Sequence, residues 1–94
     1  KTFFVRRDFS LVIDAKLEYV AIEKLGYSIN KKLLKNMSLF DVYEGDKLPK
    51  GKKSYAVSFL FQDDNETLKD EVVDAIMSQI RKKLEEELGA ELRA

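Results

Sequence analysis

Basic side chains are gathered in two short stretches of this sequence. Four lysines fall within residues 44–53, and two adjacent arginines stand near the start: Lys47, Lys50, Lys52, Lys53, Arg6 and Arg7. Residues 1–60 hold 12 basic and 7 acidic side chains, whereas residues 61–94 hold 5 and 10. This segregation can create a local positive field on a chain whose net charge is zero. The alternative is that the lysines only keep an exposed loop in solution.

Several kinds of chemistry are excluded by composition. The chain has no cysteine and no histidine, which removes disulfides, thiolate or imidazole metal sites, and Cys or His nucleophiles and bases. No run approaches the ~20 apolar residues of a membrane span, and no signal peptide precedes the first strand. We therefore expect a soluble protein of a reducing compartment, the cytoplasm. The 94 residues predict one domain, and because they begin at Lys1 we expect it to be part of a longer protein.

Two predicted strands flank the lysine-rich stretch. Residues 38–43 are rich in aromatic and branched side chains, and residues 54–61 alternate between two sets. The bulky set is Tyr55, Val57, Phe59 and Phe61, and the set between them is Ser54, Ala56, Ser58 and Leu60. Strict alternation predicts a strand with one buried side. Gly45, Pro49 and Gly51 separate the two strands and predict an antiparallel hairpin.

Two helices and two further strands complete the expected fold. Apolar residues spaced three and four apart predict helices over 18–35 and from about 67 to 88. Gly26 inside the first helix suggests close packing against a neighbour. In the second, Thr67 is the expected N-cap, with Asp70 in its first turn, and Gly89 ends it. Alternation at 8–14 predicts the first strand, and residues 90–94 are long enough for a final edge strand.

The order β-α-β-β-α-β predicts an α+β fold. The arrangement is a ferredoxin-like sandwich, in which two helices cover one face of a four-stranded antiparallel sheet. The helix-covered face would carry Phe9, Leu11, Ile13, Tyr55, Val57, Phe59 and Phe61. The other face would carry Asp8, Ser10, Ser54, Ala56 and Ser58 and would be open. Phe40 shares a parity with Val42 and not with Asp41 or Tyr43, so we expect Phe40 in the core.

Five short motifs resemble one family in order and spacing. They are VRRD at 5–8, LFDVYEG at 39–45, GKKS at 51–54, TL at 67–68 and GAELR at 89–93. This succession, over essentially the whole chain, resembles the ferredoxin-fold anticodon-binding domain that ends the beta subunit of bacterial phenylalanyl-tRNA synthetase. One departure is that the family usually has a proline shortly before VRRD, where this chain has Phe3 and Phe4.

The resemblance implies an RNA-binding role for a domain that is itself non-catalytic. Its partner would be the anticodon stem-loop of tRNA(Phe), not DNA or a membrane. Aminoacylation, with ATP and magnesium, would occur in the alpha subunit of an (αβ)2 parent enzyme, and the domain would need no cofactor of its own. Since unpaired bases are read by stacking and by edge contacts, the resemblance implies two sets of residues. Arg6, Arg7, Tyr43, Lys52 and Lys53 would stack bases or hold phosphates, and Asp8, Asp41, Ser10, Ser54 and Ser58 would meet base edges.

Structural explanations stand beside these roles. Arg7 and Asp8 could pair with neighbouring strands or the hairpin, and Tyr43 could cap the hydrophobic edge of the sheet. Two other functions share the topology: an RRM-type general RNA binder, and a regulatory or dimerising ferredoxin-like domain. The RRM alternative lacks its aromatic side chains, because Ser54, Ala56, Ser58 and Leu60 occupy their strand. An acylphosphatase-like enzyme is disfavoured, since no arginine-bearing phosphate loop follows the first strand.

Overall fold

The computed structural model describes residues 3–93 and contains four strands and two helices in this part of the chain. The elements are β1 (Val5–Asp14), α1 (Tyr19–Ile29), β2 (Leu34–Tyr43), β3 (Lys52–Phe61), α2 (Asp70–Leu88) and β4 (Glu91–Arg93). Their order confirms the predicted β-α-β-β-α-β succession. All strand pairs are antiparallel, and the sheet order is β2-β3-β1-β4. The fold is therefore the expected ferredoxin-like α+β sandwich.

One hydrophobic core joins the helices to a single face of the sheet. Leu11 and Ile13 of β1 and Val57, Phe59 and Phe61 of β3 have no exposed surface. From the helices, the core receives Ile22, Val73, Ile76, Ile80 and Leu84. Phe9, which we expected to be covered like its neighbours, is only partly buried and meets the Phe59 ring edge-on at 4.8 Å between centroids. The side chains that alternate with these core residues in β1 and β3 face away from both helices.

Gly26 and Gly89 have the structural roles that their positions in the sequence predict. A Cβ at Gly26 would lie 2.5 Å from the Sδ atom of Met37, so α1 approaches β2 more closely than a side chain would permit. Gly89 ends α2 with φ of 64°, a left-handed conformation that glycine adopts without strain. Its N–H donates to the Leu84 carbonyl, which satisfies one of the free carbonyls of the last turn.

The boundary between α1 and β2 differs from the prediction. The helix ends at Ile29 rather than near residue 35, and β2 begins at Leu34 rather than at 38. Asn30 explains the early end, because its side-chain oxygen accepts from the Leu33 N–H at 3.0 Å. Asparagine competes in this way with the helical backbone. Leu33 continues the apolar spacing of the helix but belongs to the turn. The apolar spacing therefore placed the end of the helix too late.

The start of α2 also corrects the prediction. Thr67 is not its N-cap: the capping position is Lys69, with extended backbone and no side-chain hydrogen bond to the helix. Asp70 is the first helical residue, so it lies in the first turn as predicted, and its carboxylate accepts a hydrogen bond from Arg7. The two central strands are longer than predicted at one end, β1 starting at Val5 and β3 at Lys52, and the edge strand β4 is shorter, covering Glu91–Arg93. Ala94, at the end of the predicted final strand, lies outside the described residues.

Candidate nucleic-acid interface

The sheet face turned away from the helices, here called the open face, gathers most of the predicted RNA-binding residues. Residues paired directly across an antiparallel sheet project to the same side. Three rows cross it from β2 through β3 to β1: Tyr43–Ser54–Val12, Asp41–Ala56–Ser10 and Ser38–Ser58–Asp8. On β4, Arg93 lies opposite Ser10 and extends the second row. Small side chains in the middle of the face thus separate Asp41 from Arg93.

Tyr43 lies at the edge of this face rather than in the core. Its side chain is 41% exposed, and its hydroxyl end lies against Gly45. A Cβ at position 45 would approach the Tyr43 Oη atom to 2.7 Å, so glycine there makes room for the ring. Its direct neighbour across the sheet is Ser54, which is half-buried. An exposed aromatic ring beside a hydroxyl group offers both a stacking surface and a hydrogen-bonding group.

Phe40 corrects the expectation that it belongs to the core. The ring is 53% exposed, because β2 has a register irregularity between Leu39 and Asp41. Two residues there oppose one residue of β3, which breaks the alternation on which the parity argument depended. The Arg6 guanidinium carbon lies 5.6 Å from the centre of the Phe40 ring. The ring therefore joins Arg6 of the open face, and the sequence pattern carried no signal of the bulge.

Arg6, Asp8 and Ser58 form a connected polar group on the open face. The Arg6 Nε donates to Asp8 Oδ1 at 3.0 Å, and Asp8 faces Ser58 across the β1–β3 pair. The Arg6 hydrogen bond, aided by the Ser58 hydroxyl, lowers the pKa of Asp8, although partial burial opposes this. Ser58 itself is only 8% exposed. Among the predicted base-contacting residues, Ser58 is therefore the one whose hydroxyl is least accessible.

Arg7 is separated from the other candidates. Its neighbours across the sheet lie on the helix-covered side, and its guanidinium donates to Asp70 at 3.1 Å and to Asp74 at 3.3 Å. These contacts tie β1 to the first two turns of α2. Arg7 therefore has structural partners, but they lie on a helix and not on the neighbouring strands or the hairpin, as the structural explanation had expected. It lines an open groove of about 430 Å³ with residues of β1, α2 and β4, among them Arg81 and Arg93.

The two adjacent lysines at the start of β3 lie on different sides of the sheet. Lys52 is exposed and opposes Asp14 of β1, with the parity of Ser54 and the open face. Lys53 has the other parity, and its ammonium lies 4.6 Å from the centre of the buried Tyr55 ring. Lys47 and Lys50 are exposed in the connection between β2 and β3. Lys47, Lys50 and Lys52 thus remain accessible at the end of the sheet where Tyr43 lies.

Residues 3–93 carry neither a metal-binding cluster nor a membrane-spanning helix. This range contains no group of three or more Asp, Glu, His or Cys side chains that could hold a metal ion. Within the same residues, no helix is long and apolar enough to cross a membrane.

Seven of the ten predicted RNA-binding residues share the open face, and an eighth borders it. The seven are Arg6, Asp8, Ser10, Asp41, Tyr43, Ser54 and Ser58, and the eighth is Lys52. Arg7 and Lys53 turn toward the helix-covered side. Phe40 is the exposed aromatic side chain of this face that sequence reasoning did not include.

Comparison with known proteins identifies a family and several relatives. Residues 3–93 match the family described as the Ferredoxin-fold anticodon binding domain. Over 89 residues, which are 95% of this chain, it is 57% identical to the phenylalanine–tRNA ligase beta subunit of Bacteroides fragilis. The identity over the same length is 52% for the beta subunit of Porphyromonas gingivalis and 44% for that of Geobacillus kaustophilus.

The match covers only a small part of each of these relatives. The aligned region spans 11% of the length of each of the three beta subunits and 95% of this chain. Since the family match includes nearly every residue of the chain, the chain belongs to the ferredoxin-fold anticodon-binding domain family.

Proposed function

We propose that this chain binds the anticodon stem-loop of tRNA(Phe) with its open face and the adjoining lysine-rich connection. The observation that carries the proposal is the alignment of Tyr43 with Ser54, beside Asp41, on an exposed face of a domain in an anticodon-binding family. An aromatic ring, a hydroxyl and a carboxylate next to one another are suited to an unpaired base, which offers a π face and hydrogen-bonding edges.

The residues divide into those that position the RNA and those that read it. Lys47, Lys50 and Lys52 are exposed at one end of the sheet, where they would neutralise phosphates without regard to sequence. Tyr43 would stack a base of the loop. Asp41 repels phosphate, so its contribution would be to accept a hydrogen bond from a base amino or imino group. Ser10 and Ser54 would add hydroxyl groups that donate or accept.

The proposal extends to the protein of which this chain would be a part. We place it as the C-terminal domain of a longer beta subunit of phenylalanine–tRNA ligase, on the basis of its named relatives. The parent would pair with an alpha subunit in an (αβ)2 enzyme and act in the cytoplasm. There, ATP and magnesium would serve aminoacylation in the alpha subunit. This domain would contribute tRNA binding and no catalytic group.

The test is a titration of the chain with a fluorescently labelled anticodon stem-loop of tRNA(Phe). A hairpin with the same stem and a different anticodon serves as the control RNA. We expect tighter binding to the cognate hairpin, and we expect Asp41→Ala to reduce only that preference. A good base contact is worth about 1–3 kcal/mol of discrimination, so the cognate affinity should fall roughly 5- to 150-fold.

Binding to the control hairpin shows whether Asp41 reads a base or is only a surface charge. If Asp41→Ala strengthens binding to both hairpins, the carboxylate only repels phosphate and reads no base. If the unaltered chain binds both hairpins equally, the proposed recognition of the anticodon is wrong. Glu44→Ala is the matched control, because it removes an exposed acid one residue beyond β2. That change should slightly strengthen binding to both RNAs.

A further inference from the structure

We propose that Arg6 and Phe40 together form a second stacking site, which takes one unpaired base of the bound RNA next to the nucleotide held at Tyr43. The inference rests on the proposed RNA-binding function and adds a subsite to it. It concerns an aromatic ring that the strand pattern had suggested would be buried.

The first argument is the exposure of the Phe40 ring. More than half of its surface is accessible, in the middle of the long strand β2 rather than at a terminus. The bulge between Leu39 and Asp41 turns this ring out of the core and toward Arg6. An exposed phenylalanine contributes little to the core, and a ring beside small and polar residues presents a surface on which a base can stack.

The second argument is the orientation of Arg6. Its guanidinium is held over the Phe40 ring and also donates from Nε to Asp8 at 3.0 Å. Asp8 is in turn opposite Ser58, which is nearly buried. A guanidinium held from two sides loses less rotational freedom when a ligand arrives. Arg6 remains largely exposed, so its plane can extend the stacking surface while its charge attracts the RNA backbone.

The third argument is the spacing from Tyr43. Strand residues rise about 3.4 Å each, so the α-carbons of Phe40 and Tyr43 lie roughly 10 Å apart along β2. That separation is too great for one base to touch both rings and suits two neighbouring nucleotides of a splayed loop. Asp41 lies between them on the same face. The arrangement would therefore hold two successive bases on either side of a hydrogen-bonding carboxylate.

Tryptophan fluorescence can test this site directly, because the chain contains no tryptophan. Phe40→Trp keeps an aromatic plane beside Arg6 and introduces a single reporter that a stacked base quenches. The control is Val20→Trp, at an exposed position of α1 on the helix-covered side. Each variant of the 94-residue chain is titrated with the tRNA(Phe) anticodon stem-loop, and binding is followed independently by anisotropy of the labelled RNA.

We expect the Phe40→Trp fluorescence to fall on binding and the Val20→Trp fluorescence to stay unchanged. A series of hairpins, each with one abasic nucleotide at a different loop position, identifies the stacked base. We expect the quenching to disappear for only one hairpin of the series. Phe40→Leu should weaken binding of the intact hairpin about 5- to 150-fold, as loss of one stacked base does. When the hairpin is abasic at that position, Phe40→Leu should not weaken its binding any further.

Arg6→Lys adds a readout that a purely structural role would not change. The variant keeps the positive charge and loses the planar guanidinium, so the salt dependence should persist while the preference for the intact over the abasic hairpin falls. If the RNA binds but quenching is absent at every loop position, the second stacking site is wrong and the proposed function stands. If the unaltered chain shows no preference for the cognate hairpin, the proposed function fails as well.

Discussion

The side chains of Arg6 and Arg7 lie on opposite faces of the sheet. Arg6 contacts Asp8 and the Phe40 ring on the open face, whereas Arg7 donates to Asp70 and Asp74 of α2 on the other side. Two identical, adjacent residues therefore have separate tasks. Strand geometry alone imposes this, because successive side chains of a strand point in opposite directions.

Substituting the two arginines separately should give opposite results. Arg6→Ala should weaken binding of the anticodon stem-loop several-fold and leave the melting temperature nearly unchanged. Arg7→Ala should lower the free energy of unfolding by about 0.5–1 kcal/mol, since the Asp70 and Asp74 carboxylates that it pairs with are largely solvent-exposed. Its effect on RNA affinity at physiological salt should stay within about twofold, because charges beyond roughly 8 Å are screened. Thermal melting and RNA titration of both variants make the comparison, and a larger loss of binding for Arg7→Ala would contradict it.

Lys52 and Lys53 should also differ, although both carry the same charge. Lys52→Ala removes an accessible cation near the open face, so affinity for any RNA should fall and the slope of log K against log salt should flatten. Lys53→Ala removes the cation above the Tyr55 ring and should mainly reduce stability, by about 0.5–1 kcal/mol. Binding measured at two salt concentrations distinguishes them. Equal salt slopes for the two variants would show that Lys53 also reaches the RNA.

The pKa of Asp8 provides a check on the Arg6 contact. The Arg6 hydrogen bond holds this pKa below its ordinary value, so folding favours the ionised carboxylate. The stabilising contribution is present above the unfolded pKa of about 4 and is lost as the pH falls through the lower folded value. Arg6→Gln should raise the pKa of Asp8 toward its ordinary value. An NMR titration of the Asp8 carboxyl carbon in both proteins measures this, and an unchanged pKa would contradict the contact.

The sequence predicted the fold more completely than the interface. Alternation in residues 54–61 identified the buried face of β3 correctly, because the extra residue of the bulge lies in β2, β3 itself pairs regularly with β1, and the helices cover one side. Phe40 could not be placed in the same way, since a bulge leaves no mark on the pattern of apolar residues. Arg7 was likewise ambiguous: only the position of α2 brings Asp70 and Asp74 within reach of its guanidinium. The surroundings of such residues depend on contacts between elements that are distant in the sequence.

Stability should depend very differently on two phenylalanines of this chain. Phe59 has no exposed surface and packs between α1 and β1, near Gly26 and Phe9. Phe59→Ala should cost about 3–5 kcal/mol, a large part of the roughly 5–10 kcal/mol that such a domain has. The same substitution at the exposed Phe40 should cost about 1 kcal/mol or less. Urea unfolding of the two variants compares them, and similar midpoints would contradict the burial described here.

The most direct test of the central claim is an NMR titration of the isotopically labelled chain with the tRNA(Phe) anticodon stem-loop. The account predicts that the largest amide shifts fall on residues 38–45 and 52–58 and on Arg6–Ser10, with little change along the outer surfaces of α1 and α2. The hairpin with the altered anticodon should reproduce the shifts of the lysine-rich connection and lose those at Asp41 and Tyr43. Shifts concentrated on α2 and the groove beside β4, with the open face unchanged, would contradict the account.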